Sequence, residues 1–387
     1  MSAERIFNSV HVHGVKNISI FDILILDLNE IPGILHTDKQ IRIKDIARRC
    51  NVSMGTVDRV LHSRGEVSSQ TREKVLRVIE ELGFQPNILA SSLALKHPIL
   101  FATLLPTPLS LEGYWNKPML GIRKRSSELQ HYRLRIETFS FNQSSPADFE
   151  EKSVQMLDLH PDGVILAPYF YKESLQIVSQ LRERKIPFVF IDSEIPDQGQ
   201  LAYVGQNSFQ CGYLSARLLS FIAEPSGNLF VIHFAKEMDN QNHLVQREKG
   251  FYEWNRQHAP GRVIRTAEIF MAEEKKCDGQ LKAILSGSKV SGIFVTNSKV
   301  HLAASFLERS GISNIRLIGH DLLKENVAFL KKGLVDFLIC QRPEEQGYNA
   351  FDKLFRSVVQ KVPVQNNNYT PIDIITKENV DYYKEFK

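Results

Sequence analysis

Two groups of residues in this chain have side chains and spacing suited to chemistry, and both point to recognition rather than bond making. The first is Ser53, Met54, Gly55, Thr56 and Arg59, five positions within the run SMGTVDR. Small hydroxyls, a glycine and an arginine on the exposed first turns of a short helix suit hydrogen bonding to base edges and phosphate oxygens. The second is Asp192, Arg247, Asn297, Asp321 and Gln341, with Tyr114 and Trp115 as aromatic companions and Phe270 as a weaker one. Carboxylates, amides and an arginine hydrogen-bond to hydroxyls while aromatic rings cover C–H faces, which is the chemistry of a sugar pocket. The same amides and rings would also serve a purine. Each residue has a plainer reading as well: Asp192 and Asp321 as helix caps, Asn297 as a turn residue, Arg247 as a surface charge and Trp115 as core.

The elements that must position the first group lie between Ile41 and Lys96. Ile43, Ile46, Ala47 and Cys50 recur at helical spacing, with Arg42, Lys44, Arg48 and Arg49 on the wet side. Asn51-Val52 breaks that helix, and Ser53 can cap a second one that buries Val57, Val60 and Leu61. A third helix is expected over Gln70–Leu82, capped by Ser68 or Ser69, with Val75, Val78, Ile79 and Leu82 buried and Gly83 as its stop. Two short helices around a tight turn, with a polar face on the second, fit the major groove of double-stranded DNA. A three-helix module that binds protein is the alternative. Residues 40–97 hold ten basic and six acidic side chains, an excess equal to the whole chain's net charge of +4. An excess this small implies weak binding by one copy and a dimer as the remedy. Pro86 and Asn87 then open an amphipathic stretch, Ile88–Leu95, too short to be a stable helix alone.

From His97 onward short apolar runs alternate with helical stretches. Strands are expected at 99–105, 132–139, 163–167, 187–191, 228–234, 262–269, 293–296, 315–318, 335–340 and 372–375. Such alternation implies parallel sheets covered on both faces, and about 290 residues exceed one comfortable core, so two lobes are expected. Asp192, Asn297, Asp321 and Gln341 each follow a strand candidate directly, and ligands of open α/β sheets sit beyond the carboxyl ends of strands.

Residues 41–96 resemble the N-terminal domain of the LacI/GalR (lactose repressor) family of transcription regulators. The resemblance rests on IKDIARRCNVSMGTVDRVLH, on VSSQTREKVLRVIEELGFQPN and on the run ILASSLAL. It implies base and phosphate contacts from Ser53, Met54, Gly55, Thr56, Arg59 and His62. It also implies a hinge helix in which Asn87, Ala90 and Leu93 enter the minor groove, Leu93 as the wedge. Asp58 and His62 depart from the usual Ser and Asn, and Gly55 lacks a side chain that many members use to read a base. The remainder is similar to the type 1 periplasmic-binding-protein fold, with two doubly wound lobes and three crossovers, expected near Gly205, near Gln341 and within 363–370. Pro363 and Asn366-Asn367-Asn368 are read there as a loop. The implied layout is an extension over 1–40, an all-α helix-turn-helix domain over 41–85, a hinge over 86–97 and an α/β ligand domain over 98–387. Lobe 1 would take 98–205 and 342–365, and lobe 2 would take 206–341 and 366–387. The resemblance also implies a sugar effector, a homodimer and a pseudo-palindromic operator. Where many sugar binders of this fold place arginine after the first aspartate, this chain has Ser193.

Enzymes lack their fingerprints here. There is no glycine-rich phosphate loop after the first strand, no GxSxG and no HExxH, so no cofactor or metal is expected. Cys50, Cys211, Cys277 and Cys340 lie far apart, as reduced thiols of a cytoplasmic protein would. The run ISIFDILILDL near the N-terminus is too short and too charged to span a bilayer and lacks the flanks of a signal peptide, so no membrane partner is expected. Residues 1–40 are read as an unstructured extension or a start placed too early. A stand-alone solute-binding protein, or a regulator with a purine, nucleoside or protein effector, are the alternatives.

Overall fold

A computed structural model describes residues 41–61, 65–82, 98–108, 110, 113–234, 240–269, 274–286 and 289–383. The 1–40 extension, His62, Asn87, Ala90, Leu93 and Phe270 lie outside the described residues. The chain forms two units, Met1–Asn87 and Ile88–Lys387.

The first unit is α1 (Ile43–Cys50), α2 (Met54–Leu61) and α3 (Ser69–Glu81). Asn51 ends α1 in the left-handed region (φ 51°), which asparagine tolerates better than most residues. Ser53 Oγ accepts from Thr56 N at 3.1 Å and Ser68 Oγ from Thr71 N at 3.3 Å, so both following helices are capped. Ile46, Ala47 and Cys50 of α1, Val57 and Val60 of α2, and Val75 and Val78 of α3 form a single buried cluster. Burial pushes the Cys50 thiol up, against the pull of Lys74. Ile79 and Leu82 are only partly buried at its margin.

The second unit begins with β1 (Ile99–Pro106), α4 (Asn116–Glu128), β2 (Leu134–Phe141), α5 (Pro146–Asp158), β3 (Gly163–Leu166), α6 (Tyr171–Glu183), β4 (Phe188–Ile191) and β5 (Ala202–Gly205). It then crosses into α7 (Ser208–Ile222), β6 (Asn228–His233), α8 (Asn242–His258), β7 (Ile264–Glu268), α9 (Glu274–Leu285), β8 (Val290–Val295), α10 (Val300–Arg309), β9 (Arg316–His320), α11 (Lys324–Lys331) and β10 (Phe337–Cys340). The chain returns through α12 (Pro343–Val358) and β11 (Asn367–Tyr369) and closes with β12 (Asp373–Ile375). The strand orders are β11-β5-β4-β3-β1-β2 and β12-β10-β9-β8-β6-β7, parallel except for β12 against β10.

Both sheets are covered on both faces. In the first, Ala102, Leu104, Val164 and Phe190 belong to one core and Phe101, Leu105, Ile165 and Val189 to the other. In the second, Phe230, Ile232 and Ile293 face one core and Leu229, Val231 and Phe294 the opposite one. This is the period of two that sends successive side chains to opposite faces. Around the second sheet, α7 and α8 touch backbone to backbone: a Cβ on Gly212 would stand 1.7 Å from Arg247 O, and one on Gly250 would stand 1.9 Å from Phe209 O. The pair α4 and α12 repeats the device at Gly121 and Gly347.

Two expectations about connections need correction. Asn367 and Asn368 are not loop but part of β11, which pairs in parallel with β5. The stretch from 366 therefore does not start lobe 2: the last passage between sheets comes after Tyr369 and before Asp373. Three polar residues carry no strand pattern of their own, and only their neighbour β5 makes them a strand. No helix among the described residues is long and apolar enough to cross a membrane.

Candidate functional site

The strand-end polar residues meet between the two sheets. Asp192 follows β4 and Asp321 follows β9, the fourth position counted from the β2 and β7 edges in each sheet. Both have left-handed backbones, φ 69° and 68°. In both, the N–H bonds the adjacent strand: Asp192 N to Val204 O at 3.1 Å and Asp321 N to Ile339 O at 2.9 Å. Neither caps a helix. The turn aims each carboxylate away from its strand, and conformations of this kind are retained where the surroundings enforce them.

On the second lobe, Arg247 of α8 is 2 % exposed, so it is no surface charge. Its Nη1 donates to Thr296 O at 2.7 Å and its Nη2 to Gln341 Oε1 at 2.6 Å. Gln341 Nε2 donates in turn to both Asp321 carboxylate oxygens at 2.9 and 3.0 Å. On the first lobe, Tyr114 OH donates to Asp192 Oδ1 at 2.5 Å. Burial pushes the Asp192 carboxyl up, while the Tyr114 hydrogen bond and the Arg247 charge pull it down. Burial, then the charges of Asp192 and Asp321, raises the Tyr114 phenol well above its ordinary range. The two halves thus share one electrostatic field.

Asn297 Nδ2 donates to Phe234 O at 3.0 Å, which holds the loop after β6 to the loop after β8. Asn297 Oδ1 and Arg247 Nε are buried without a hydrogen-bond partner among the described residues, and such atoms are rare enough in native proteins to need a reason. Trp115 is the outlier of the group. It is 6 % exposed and lies in the first lobe's core, its ring edge-on to Tyr114 at 5.2 Å.

The structure adds residues that sequence reasoning missed. Gln206, in the first crossover, donates from Nε2 to Cys340 O at 2.8 Å and Pro371 O at 2.7 Å, tying all three crossovers together. Its Oε1 accepts from Cys211 Sγ at 3.2 Å, and Tyr203 OH bonds both Asp192 O and Gln206 O. Desolvation and then the nearby Arg247 charge push the partly buried His243 imidazole down to about 3. Across the lobes, Asn240 accepts from Lys172 N at 3.0 Å and donates to Glu173 Oε2 at 2.9 Å, and Asn242 donates to Glu194 O at 2.9 Å. No local pattern marks these positions, because their partners are distant in sequence.

In the helical unit, Ser53, Met54, Gly55 and Arg59 are exposed and Thr56 is partly so, on the side of α2 opposite Val57 and Val60. Ser53 Oγ and Thr56 Oγ1 lie 2.9 Å apart, and Arg59 Nε donates to Gly55 O at 3.2 Å. A Cβ at Gly55 would meet nothing nearer than Ser53 Oγ at 3.8 Å. The fold of this unit therefore does not require glycine there.

Residues 103–361 match the model of a periplasmic binding protein domain, and residues 42–87 match that of the lacI family of bacterial regulatory proteins. A crystal structure described as a LacI transcriptional regulator from Bacteroides fragilis is 32 % identical, with TM-score 0.69, over 74 % of this chain and 99 % of that one. The chain belongs to the LacI family. Among its relatives, the ribose operon repressor of Halalkalibacterium halodurans is 26 % identical over 72 % of this chain and 80 % of its own length. Catabolite control protein A of Streptococcus mutans is 25 % identical over 66 % and 79 %. As a LacI-family protein it is a DNA-binding transcription regulator whose second unit has the ligand-binding fold of periplasmic binding proteins.

Proposed function

We propose that this regulator is a cytoplasmic dimer whose affinity for a pseudo-palindromic operator is set by a sugar or sugar derivative held between its lobes. One observation carries the reading: the buried Arg247–Gln341–Asp321 array on one lobe faces the Asp192–Tyr114 pair on the other. Hydroxyls of a sugar can donate to the carboxylates and accept from the arginine, with Asn297 beside them. A relative named for ribose supports a carbohydrate. In this reading Ser53, Met54, Gly55, Thr56, Arg59 and His62 contact the major groove, and Asn87, Ala90 and Leu93 the minor groove. A two-fold dimer doubles a weak headpiece and fixes the half-site spacing. Ligand and operator affinities then change reciprocally.

The test is a thermal-shift panel of carbohydrates and nucleosides on the full chain, followed by titration of a footprinted operator with each compound that stabilises. A carbohydrate that both stabilises and changes operator affinity is expected. Stabilisation by nucleosides alone would replace the sugar with a purine.

Two further results follow. Gly55→Ala should leave the headpiece as stable or raise its stability by up to about 1 kcal/mol, since alanine favours helix over glycine. It should nevertheless lower operator affinity, because the methyl projects from the exposed face. Thermal melts and gel shifts read the two opposite signs.

Ligand affinity should fall on acidification. With its pKa raised by burial, Asp192 takes up its proton at a higher pH than an exposed aspartate does, and a protonated carboxyl is a poorer acceptor. The stability sign is opposite: above the folded pKa the buried charge costs stability, a cost relieved as pH falls through that value. Calorimetry from pH 7.5 downward should show affinity dropping while Asp192→Asn is weak and flat.

A further inference from the structure

A cavity of about 330 Å3 lies between the lobes beside the Asp192–Arg247–Asp321 cluster. None of Tyr114, Trp115, Asp192, Arg247, Asn297, Asp321 or Gln341 lines it. Ser193 and Glu194 of the first lobe, His243 and Gln246 of the second, and Gln206 of the crossovers are among the residues that do. The two clusters share their supports, since Ser193 follows Asp192 directly and His243 stands one turn before Arg247 on α8.

Ser193 is 3 % exposed. Ser193 Oγ, Glu194 Oε2 and His243 Nδ1 are all buried without a hydrogen-bond partner among the described residues. Native proteins leave few such atoms, and here the residues that carry three of them line one cavity. Several of the other polar walls are already engaged: Gln206 holds the crossovers, Asn242 holds Glu194 O, and Asn207 caps α7 through Gln210 N.

The chemistry of the walls narrows the guest. Among the described residues no lysine or arginine lines the cavity, and the one carboxylate there, Glu194, repels phosphates and acids. A carboxylate oxygen, a hydroxyl and a neutral imidazole match hydroxyl groups, and the rings of Tyr171, Phe209 and Tyr369 offer faces for C–H groups. The volume is at the lower end of small-ligand pockets, which begin at about 300 Å3.

We propose that the effector carries two carbohydrate units, one on the Asp192–Arg247–Asp321 array and a second, uncharged and hydroxyl-bearing, in this cavity. The proposal rests on the sugar reading above and extends it from a single ring to a disaccharide-like ligand. His243, held neutral by burial and by Arg247, can serve a hydroxyl as donor or acceptor.

Calorimetric titration of the full chain tests it, with glucose, galactose, fructose and ribose against maltose, cellobiose, trehalose, sucrose and lactose, and with glucose 6-phosphate as the charged comparison. At least one disaccharide should bind about tenfold more tightly than either of its component sugars, a difference of about 1.4 kcal/mol. Ser193→Leu and Gln246→Phe, which fill the cavity without adding charge, should each erase that advantage while leaving monosaccharide affinity within about threefold. Gln246 is only partly buried, so its variant carries the test where Ser193→Leu does not fold. Equal affinity for single and paired rings, preference for the phosphorylated sugar, or an advantage that survives in folded cavity-filling variants overturns the two-unit ligand and leaves the sugar effector standing. Failure of every carbohydrate to bind overturns both.

Discussion

Ile46→Ala is expected to abolish operator binding while leaving ligand binding unchanged. Ile46 is fully buried at the centre of the cluster that joins α1, α2 and α3. Truncating a buried isoleucine to alanine costs about 2–5 kcal/mol, the lost transfer energy plus the cavity left behind. A core this small rarely supplies more than about 3–5 kcal/mol in total, so one such cavity removes most of the stability that presents Ser53, Thr56 and Arg59. The ligand domain has cores of its own and is untouched. Both tryptophans, Trp115 and Trp254, lie in that domain, so intrinsic fluorescence melts should be unchanged while gel shifts show no complex. Leu76→Ala, at a residue 49 % exposed on α3, is the control and should retain binding. Normal operator affinity in Ile46→Ala would show that α1 does not support the recognition surface.

Arg247→Met should uncouple the two activities in the opposite sense, with operator binding kept and the response to ligand lost. The guanidinium is buried and donates to Thr296 O and Gln341 Oε1. Without it those oxygens lose their donors, and the buried Asp192 carboxylate loses a positive charge that lowers its pKa. Removing one side of such an arrangement costs about 3–5 kcal/mol, and the ligand loses a charged contact as well, so affinity should fall by about 100-fold or more. The Asp192 carboxyl should move further up, because Arg247 is one of the two influences that lower it. Arg247→Lys should not rescue, since a single ammonium cannot span Thr296 O and Gln341 Oε1 in the fork that guanidinium provides. Calorimetry and operator titration with and without ligand measure both effects. A full ligand response in Arg247→Met would remove the array from the effector site.

Much of the fold was legible because it is written in local periodicity. The third helix was expected at Gln70–Leu82 and runs Ser69–Glu81. Of the twelve strands among the described residues, β5 and β11 were not anticipated. β5 ends at Gly205, where a crossover was expected, and β11 is polar. The site was half legible for a related reason. Asp192, Asn297, Asp321 and Gln341 stand out as polar residues that end apolar runs, which a reader of one strand at a time can see. Trp115, a weaker candidate for which core was the plainer reading, lies in the first lobe's core with Ile122 of α4 and Phe351 of α12.

The sequence by itself determined the helix-turn-helix unit, the βα alternation and the strand-end polar residues, since each depends on neighbours within a few positions. Only the tertiary structure decided which of those residues share a field. Tyr114 meets Asp192 across 78 residues and Arg247 meets Gln341 across 94. It also decided that Gln206, unremarkable in its own segment, binds the other two crossovers across 134 and 165 residues. Contacts of that span are set by the stacking of sheets and the close approach of α7 to α8 at Gly212 and Gly250, and no window of local sequence contains both partners.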